Sequence, residues 1–220
     1  MINAILAIED RRFFEHPGID FIGIIRAAVK NFTGQSREGA STITMQVARN
    51  FFLSSEKTLK RKINEILLSL KIENKLTKEE ILELYINQIY LGQRSFGFSA
   101  AANTYFNKTL ENLNLAEIAL LAGLPKAPSR YNPLSNPDLA IARQHTVLNN
   151  MFRYGFIDRP SYILALEEHL DLVEKNIRYE IQADYVAEMV RKVLYDEYGN
   201  SIYTSGLKVI TTIKKKNQKV

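Results

Sequence analysis

The chain has 220 residues, 46% of them hydrophobic, and a formal net charge of +5; this is enough to bury a substantial core as one domain or two joined lobes. It contains no cysteine, which excludes a disulfide framework, a thiolate metal site and a cysteine nucleophile. The positive charge first suggests a nucleic acid or an anionic membrane, but Lys208, Lys214, Lys215, Lys216 and Lys219 close the chain without one acid, so residues 1–207 sum to zero and the excess belongs to the tail.

There is no apolar run of about 18 residues, and the N-terminus lacks the basic, apolar, small-residue order of a signal peptide. The expectation is a cytosolic protein or one whose anchor lies outside these residues. Apolar residues recurring at spacings of three and four predict about ten helices.

The segment Ala7–Gly18 passes from an apolar run into Glu9, Asp10, Arg11, Arg12, Phe13, Phe14, Glu15 and His16 before Pro17 and Gly18. It reads as an amphipathic helix ending at Pro17 with solvated charges, or as a crowded chemical turn centred on Glu9. Asp20 caps a helix from Phe21 to about Phe32, and Thr33 to Gly39 reads as a polar loop able to move. Ser41 or Thr42 caps a short helix through Asn50, and Phe51, Phe52 and Leu53 follow as an apolar trio. Ser54-Ser55 opens a long helix to about Leu76, and Thr77 with Glu80 forms a capping box for Lys78–Leu91.

Gly92 to Gly97 interrupts the helical pattern, which resumes from Ser99 to Leu110 with the small residues Ala100, Ala101 and Ala102. Leu115–Gly123 is apolar on most faces and reads as a buried helix. Pro125, Pro128 and Pro133 impose an ordered loop before Asn136 and Pro137 cap the next helix, which ends before Gly155. Asp158 and Pro160 open another, and Ile181–Tyr198 makes the last, stopped by Gly199. Only Ser205–Ile213 alternates like a strand, and it has no evident partner.

On a helical wheel for Glu56–Lys75, Leu59, Ile63, Ile66, Leu67 and Leu70 form an apolar stripe opposite Lys57, Arg61 and Glu65, with Lys62 beside them. The polar side is either a solvated face, whose ion pairs contribute roughly 0.3–0.5 kcal/mol each, or the wall of a cleft holding a phosphate or pyrophosphate. Gly39–Asn50 places Ser41, Thr42 and backbone amides at a helix N-terminus, with Gln46 and Arg49 one turn on; that is ordinary capping or an anion site. His16, His145 and His169 show no metal-ligand spacing. G-x-S-x-G, Walker and H-E-x-x-H patterns are absent, and Ser54-x-x-Lys57 matches a penicillin-site serine motif by letters only.

In this order the segments resemble the peptidoglycan glycosyltransferase domain, family 51, of class A penicillin-binding proteins and monofunctional murein polymerases. Glu9, Asp10, Phe13, His16 and Gly18 match the family's E-D-x-x-F-x-x-H-x-G, and Arg26-Ala27 also looks like the family. Gly39–Asn50 matches G-x-S-T-I-T-Q-Q-x-x-K-N, Arg61-Lys62-x-x-Glu65 matches R-K-x-x-E, and Lys78–Asn87 matches K-x-x-I-L-x-x-Y-x-N. Ala101–Lys108, Leu121–Pro133 and Arg143–Met151 are similar as well. Met45 stands where the family usually has glutamine, and Arg49 where it has lysine, which keeps the cation but alters its hydrogen-bonding geometry.

The resemblance implies a mainly α fold: a lysozyme-like helical head with a smaller, membrane-associated jaw, and one short C-terminal strand. Residues 1–204 would form the glycosyltransferase domain and 205–220 the start of a linker to a transpeptidase domain outside this chain. The implied reaction polymerises lipid II into beta-1,4-linked glycan, with inversion and release of undecaprenyl pyrophosphate.

Glu9 and Glu65 are the implied catalytic residues, with Glu9 as the base. A base working near neutral pH benefits from a raised pKa, which puts Glu9 in a partly desolvated setting. The implied substrate-binding residues are Asp10, His16, Arg26, Ser41, Gln46, Arg49, Lys57, Arg61 and Lys62, with Asp10 and His16 also shaping the setting of Glu9. A divalent cation, Mg or Mn, is the implied cofactor, with Glu65 a possible ligand, and no organic cofactor is expected. The partners expected are lipid II, the growing glycan strand and the bacterial membrane surface on the outer face of the cytoplasmic membrane, and not nucleic acid. Phe21, Ile22, Ile24, Ile25, Phe51, Phe52 and Leu53 would supply the membrane-facing apolar surface or else pack in the core. Two rival functions remain: a lysozyme-like glycan hydrolase using paired carboxylates, and a basic nucleic-acid-binding helical module.

Overall fold

The computed structural model of the chain describes residues 1–33, 39, 41–53, 58–173, 183–203 and 206–214. Ten α-helices occur among these residues: α1 (Ile2–Glu9), α2 (Phe21–Thr33), α3 (Ile43–Phe52), α4 (Leu59–Glu73), α5 (Lys78–Gln88), α6 (Phe98–Phe106), α7 (Leu115–Gly123), α8 (Pro137–Arg153), α9 (Arg159–Glu167) and α10 (Asp184–Tyr198). The mainly α class expected from the sequence is the class observed. The chain divides into two compact units, Met1–Glu174 and Lys175–Val220.

In the first unit, α1 carries Ala4, Ile5, Leu6 and Ala7, all buried, and packs against α7 and α8. Burying an aliphatic side chain such as Ile5 contributes about 1.5–3 kcal/mol relative to leaving it in water. Helix α7 is buried on nearly every face, as its composition predicts, and α8 lies along it. Polar side chains of α8 satisfy main-chain carbonyls that the packing removes from water: Gln144 donates to Ala116 O at 3.0 Å and Asn150 to Ala7 O at 3.2 Å. Helices α3, α4 and α5 form a second packed group in this unit.

Helix starts follow local chemistry. Thr42, Thr58, Thr77, Asn114 and Asp158 cap α3, α4, α5, α7 and α9 through their side chains, and Thr77 with Glu80 closes the expected capping box. Each such cap contributes about 1 kcal/mol.

Helices α1 and α4 depart from the expected pattern. Helix α1 ends at Glu9, and a separate 3-10 turn covers Phe13–Glu15, so no continuous helix reaches Pro17; Asp10 leaves the helix at φ −158° because its carboxylate is bonded elsewhere, as shown below. Helix α4 begins after Thr58, and the expected start at Ser54-Ser55 lies outside the described residues. Of the two readings of its polar side, the solvated face does not hold at Glu65, which is buried with Ser69 and Ile72, while in the apolar stripe Leu59, Ile63 and Leu67 are exposed and Ile66 and Leu70 half-buried.

The loop expected between Thr33 and Gly39 falls almost wholly outside the described residues. In the second unit, α10 and residues 209–213 line an apolar groove of about 280 Å³. Residues 206–214 form no strand, since a strand exists only through ladder hydrogen bonds to a neighbour and none is paired with them among the described residues.

Residues 89–97 make a tight excursion between α5 and α6. Tyr90 and Phe96 form an antiparallel bridge and their rings lie 5.1 Å apart. The excursion turns back at Gly97, where φ is +80° and a Cβ would stand 2.5 Å from Asn87 O, so only glycine fits.

Candidate active site

Glu9 sits on the last turn of α1 with 11% of its side chain exposed. The α3 side chain Gln46 donates through Nε2 to Glu9 Oε2 at 2.8 Å, and Arg143 Nη2 of α8 lies 3.7 Å from Oε1. Burial raises the Glu9 pKa; the Gln46 hydrogen bond and the charges of Arg143, Lys126 and Arg49 pull it back down in part. Desolvation is the largest of these effects and the net shift is upward, as a carboxylate serving as a base near neutral pH requires.

Asp10 and His16 are each 3% exposed at the side chain. His16 Nε2 meets the two Asp10 oxygens at 3.0 and 3.1 Å, and the Ile43 amide at the N-terminus of α3 donates to Asp10 Oδ2 at 3.0 Å. Both residues were expected at the substrate; their burial supports the other expected role, shaping the surroundings of Glu9. Asp10 fastens α3 beside α1, and α3 then presents Gln46 one turn further on.

A second cluster lies on the inward face of α4. Glu65, 1% exposed, accepts a short hydrogen bond from Arg61 on Oε1 and one from Lys62 Nζ at 2.9 Å on Oε2. Lys62 Nζ also donates to Ser41 Oγ at 2.8 Å and approaches Met45 Sδ at 4.0 Å, so the residue where the family usually has glutamine packs against the cation. Burial and the positive charges of Arg49 and Arg61 lower the Lys62 pKa. The charge of Arg49 acts on both Glu9 and Lys62.

The expected residues therefore fall into three groups: Glu9 with Gln46, Asp10 with His16, and Ser41, Lys62, Glu65 and Arg61 together. Arg26 on α2 belongs to none of them; its guanidinium lies 3.9 Å from Asp20 Oδ2, and Asp20 is paired with Arg12 at 3.3 Å. Lys57 lies outside the described residues.

Three neighbours of Glu9 were assigned no role from the sequence. Arg143 is held by its Nε donating to Gly123 O at 3.2 Å and stacks 5.7 Å from the Tyr131 ring. Lys126 follows α7 in a 3-10 turn. Tyr85 of α5 is buried with an unpaired hydroxyl, and burial followed by the negative charge of Glu9 raises its pKa well above the ordinary value. Tyr85 is the tyrosine of the Lys78–Asn87 motif, and Lys126 and Arg143 lie in Leu121–Pro133 and Arg143–Met151, which also look like family segments; none of these signals pointed to Glu9.

A cavity of about 360 Å³ opens beside Arg49, lined by Phe51, Gln88, Tyr90, Phe96, Pro125 and Pro128 among others. Its aromatic walls and adjoining cation suit a polar ligand with apolar faces.

A protein-held divalent ion does not fit these residues. Both Glu65 oxygens already accept from cations, and no group of three His, Asp or Glu side chains able to hold a metal occurs among the described residues.

Outside the clusters, Phe21, Ile22, Ile24 and Ile25 of α2 and Phe51 and Phe52 of α3 are exposed. These six do not pack in the core, whereas Leu53 is half-buried, and Val29, Leu59, Ile63 and Leu67 add exposed apolar side chains. No helix among the described residues is long and apolar enough to cross a membrane.

Comparison with known proteins matches residues 1–152 to a family model described as Transglycosylase. The chain is 54% identical over 219 residues to penicillin-binding protein 1A of Neisseria meningitidis serogroup A, an alignment covering 99% of this chain and 27% of that protein. Penicillin-binding protein 1A of Pseudomonas aeruginosa is 50% identical over 214 residues, covering 97% and 26% respectively. The crystal structure of penicillin-binding protein 1A from Haemophilus influenzae superposes with a TM-score of 0.57 at 37% identity, over 80% of this chain and 23% of that one. The chain thus spans about a quarter of the length of the curated relatives it matches.

Proposed function

This chain belongs to the transglycosylase family, and from that membership we propose that it polymerises lipid II into beta-1,4-linked glycan. The acceptor 4-hydroxyl attacks C1 of the donor MurNAc. The bond from C1 to the pyrophosphate oxygen breaks with inversion, undecaprenyl pyrophosphate departs, and the hydroxyl proton passes to Glu9. The observation that carries this reading is the Glu9 carboxylate itself: buried, with a raised pKa, oriented by Gln46 and flanked by Arg143. A raised pKa makes this carboxylate a stronger proton acceptor than an ordinary one.

Arg49, Arg61 and Lys62 would receive the departing diphosphate, with Lys57 in support. Their attraction strengthens as negative charge develops on the leaving oxygen, so it favours the transition state over the ground state. Glu65 acts as their internal counter-ion and keeps the two α4 cations in one place. Ser41 is the hydroxyl that positions Lys62. A divalent cation, if the reaction uses one, would arrive with the pyrophosphate rather than on protein carboxylates. The cavity beside Arg49 is a candidate sugar subsite, with Tyr90 and Phe96 as its stacking faces.

The exposed apolar side chains of α2, α3 and α4 suit the surface of a bilayer, where lipid II would be presented, on the outer face of the bacterial cytoplasmic membrane. The relatives' greater length is consistent with residues 205–220 leading toward a further, transpeptidase domain. Hydrolysis of glycan is disfavoured because a hydrolase needs a second carboxyl group free to donate a proton, and Glu65 is fully engaged by Arg61 and Lys62.

The deciding experiment incubates the chain with lipid II, and separately with finished glycan, with and without a diphosphate-mimicking glycolipid inhibitor. Polymer from lipid II that the inhibitor blocks is the expected result. Cleavage of finished glycan without synthesis would replace this reading with the hydrolase.

A further inference from the structure

Helix α5 opens with Lys78, at the end of a helix where the dipole disfavours a cation, so another interaction must hold it there. The ammonium donates to Glu73 Oε1 at 2.7 Å and to the His16 carbonyl at 2.7 Å, and lies 4.4 Å from the centre of the Phe13 ring. Glu73, the last residue of α4, accepts on the same oxygen from Thr44 Oγ1 of α3 at 2.5 Å. One ammonium therefore joins the Phe13–His16 turn, α3, α4 and α5. Glycine at position 18 lets the turn come this close, since φ is +88° and a Cβ there would stand 2.9 Å from Glu73 Cγ.

Both segments that Lys78 ties down adjoin Glu9. His16 holds Asp10, the residue next to Glu9, and Thr44 lies half a turn before Gln46, the donor to Glu9. The first turn of α3 is pinned at three successive residues: Thr42 Oγ1 to Gly18 O at 2.6 Å, the Ile43 amide to Asp10, and Thr44 to Glu73. A helix moves as a rigid unit, so loosening the third bond displaces Gln46 as well.

We infer that Lys78 is a positioning residue for this reaction: through Glu73 and the His16 carbonyl it sets α3 against the Asp10 segment so that Gln46 meets Glu9. The inference rests on the reading of Glu9 as the base. The groups facing Glu9 are Gln46 and Arg49 from α3, Arg143 from α8, Lys126 from the turn after α7, and Tyr85 from α5; none is altered by substitution at Lys78.

The test compares Lys78→Met, Lys78→Arg and Thr44→Val with the unmodified chain in lipid II polymerisation, reading kcat, KM and the pH dependence of kcat. Lys78→Met is expected to lower kcat about tenfold with KM held within about twofold. Its acidic limb should move to higher pH, because the Gln46 bond that lowers the Glu9 pKa is weakened. Lys78→Arg should recover most of the rate and the original limb. Thr44→Val, which deletes a single hydroxyl, should move the limb in the same direction by less, and it decides the matter if Lys78→Met does not fold. A variant with a lower melting temperature but an unmoved limb and unchanged kcat overturns the inference. Glu9→Gln run alongside separates the two claims: if it retains turnover, the base assignment fails whatever Lys78 does. If it is inactive while Lys78→Met and Thr44→Val keep the original limb, only the positioning role fails.

Discussion

Gln46 Nε2 stands 2.8 Å from Glu9 Oε2, so the carboxylate that burial pushes toward neutrality is bonded by a neutral donor on α3. The bond orients the carboxylate and limits the rise in its pKa without adding a charge that would hold the proton away.

Replacing Glu9 with Gln should abolish polymerisation while leaving the helical circular dichroism intact. A linked effect on stability has a definite sign. The folded pKa is raised, so the native state binds the proton more tightly, and the stability this confers is lost as pH rises through the folded value. Glu9→Gln should therefore melt higher than the parent near neutral pH, and the difference should shrink as pH falls toward the unfolded carboxylate value. Equal melting temperatures at every pH would contradict the burial of this carboxylate.

Gln46→Leu removes the hydrogen bond and keeps the volume. Its acidic limb should sit at higher pH than the parent's, with kcat at neutral pH lower by about 10- to 100-fold, the range of a lost orienting contact to a general base. A pH–rate profile of kcat checks both.

Glu65→Gln leaves Arg61 and Lys62 without their shared counter-ion on the inward face of α4. Breaking a buried pair costs about 3–5 kcal/mol, but Lys62 is 41% exposed and the amide can still accept hydrogen bonds, so about 1–3 kcal/mol is expected. Urea unfolding measures it. Turnover should fall further than stability alone explains, because the two cations separate.

Ile63→Ser with Leu67→Ser should change folding stability by no more than about 0.5 kcal/mol, since both side chains are exposed. The same pair should lower partition onto anionic vesicles by about tenfold or more, in line with 1.5–3 kcal/mol per buried aliphatic side chain. Flotation with and without the substitutions distinguishes a membrane face from an inert one.

Chelation should leave the melting temperature of the chain unchanged, because the described carboxylates do not assemble a metal cage. A loss of thermal stability in chelator would reveal a protein-held ion.

Features that depend on a few adjacent residues were legible from the sequence. The Thr77–Glu80 capping box and the Asp158-Pro160 helix start appear as expected, because a cap is a hydrogen bond made within one turn, and so do the stop at Gly199 and the start at Pro137, whose ring presets the first helical φ although Asn136 makes no side-chain cap bond. The mainly α class followed from apolar periodicity, and the ordered motifs singled out Glu9, Gln46, Arg61, Lys62 and Glu65 before any contact was visible.

Contacts between distant segments were not legible. Periodicity reports which face of α4 is apolar, not which face packs. Here the buried face is the one bearing Glu65 and Ser69, because Arg61 and Lys62 neutralise the glutamate and Gly18, with no Cβ, approaches the Ser69 main chain, while Leu59, Ile63 and Leu67 point to the surface. Arg143, Lys126 and Tyr85 reach Glu9 from α8, the turn after α7 and α5; the Lys78–Asn87 motif marks Tyr85, but no local pattern says that it becomes a neighbour of Glu9 when helices pack. The raised pKa of Glu9 belongs to the same class: glutamate supplies the carboxyl group, but its desolvation comes from side chains that surround it only once α1, α3 and α8 have packed.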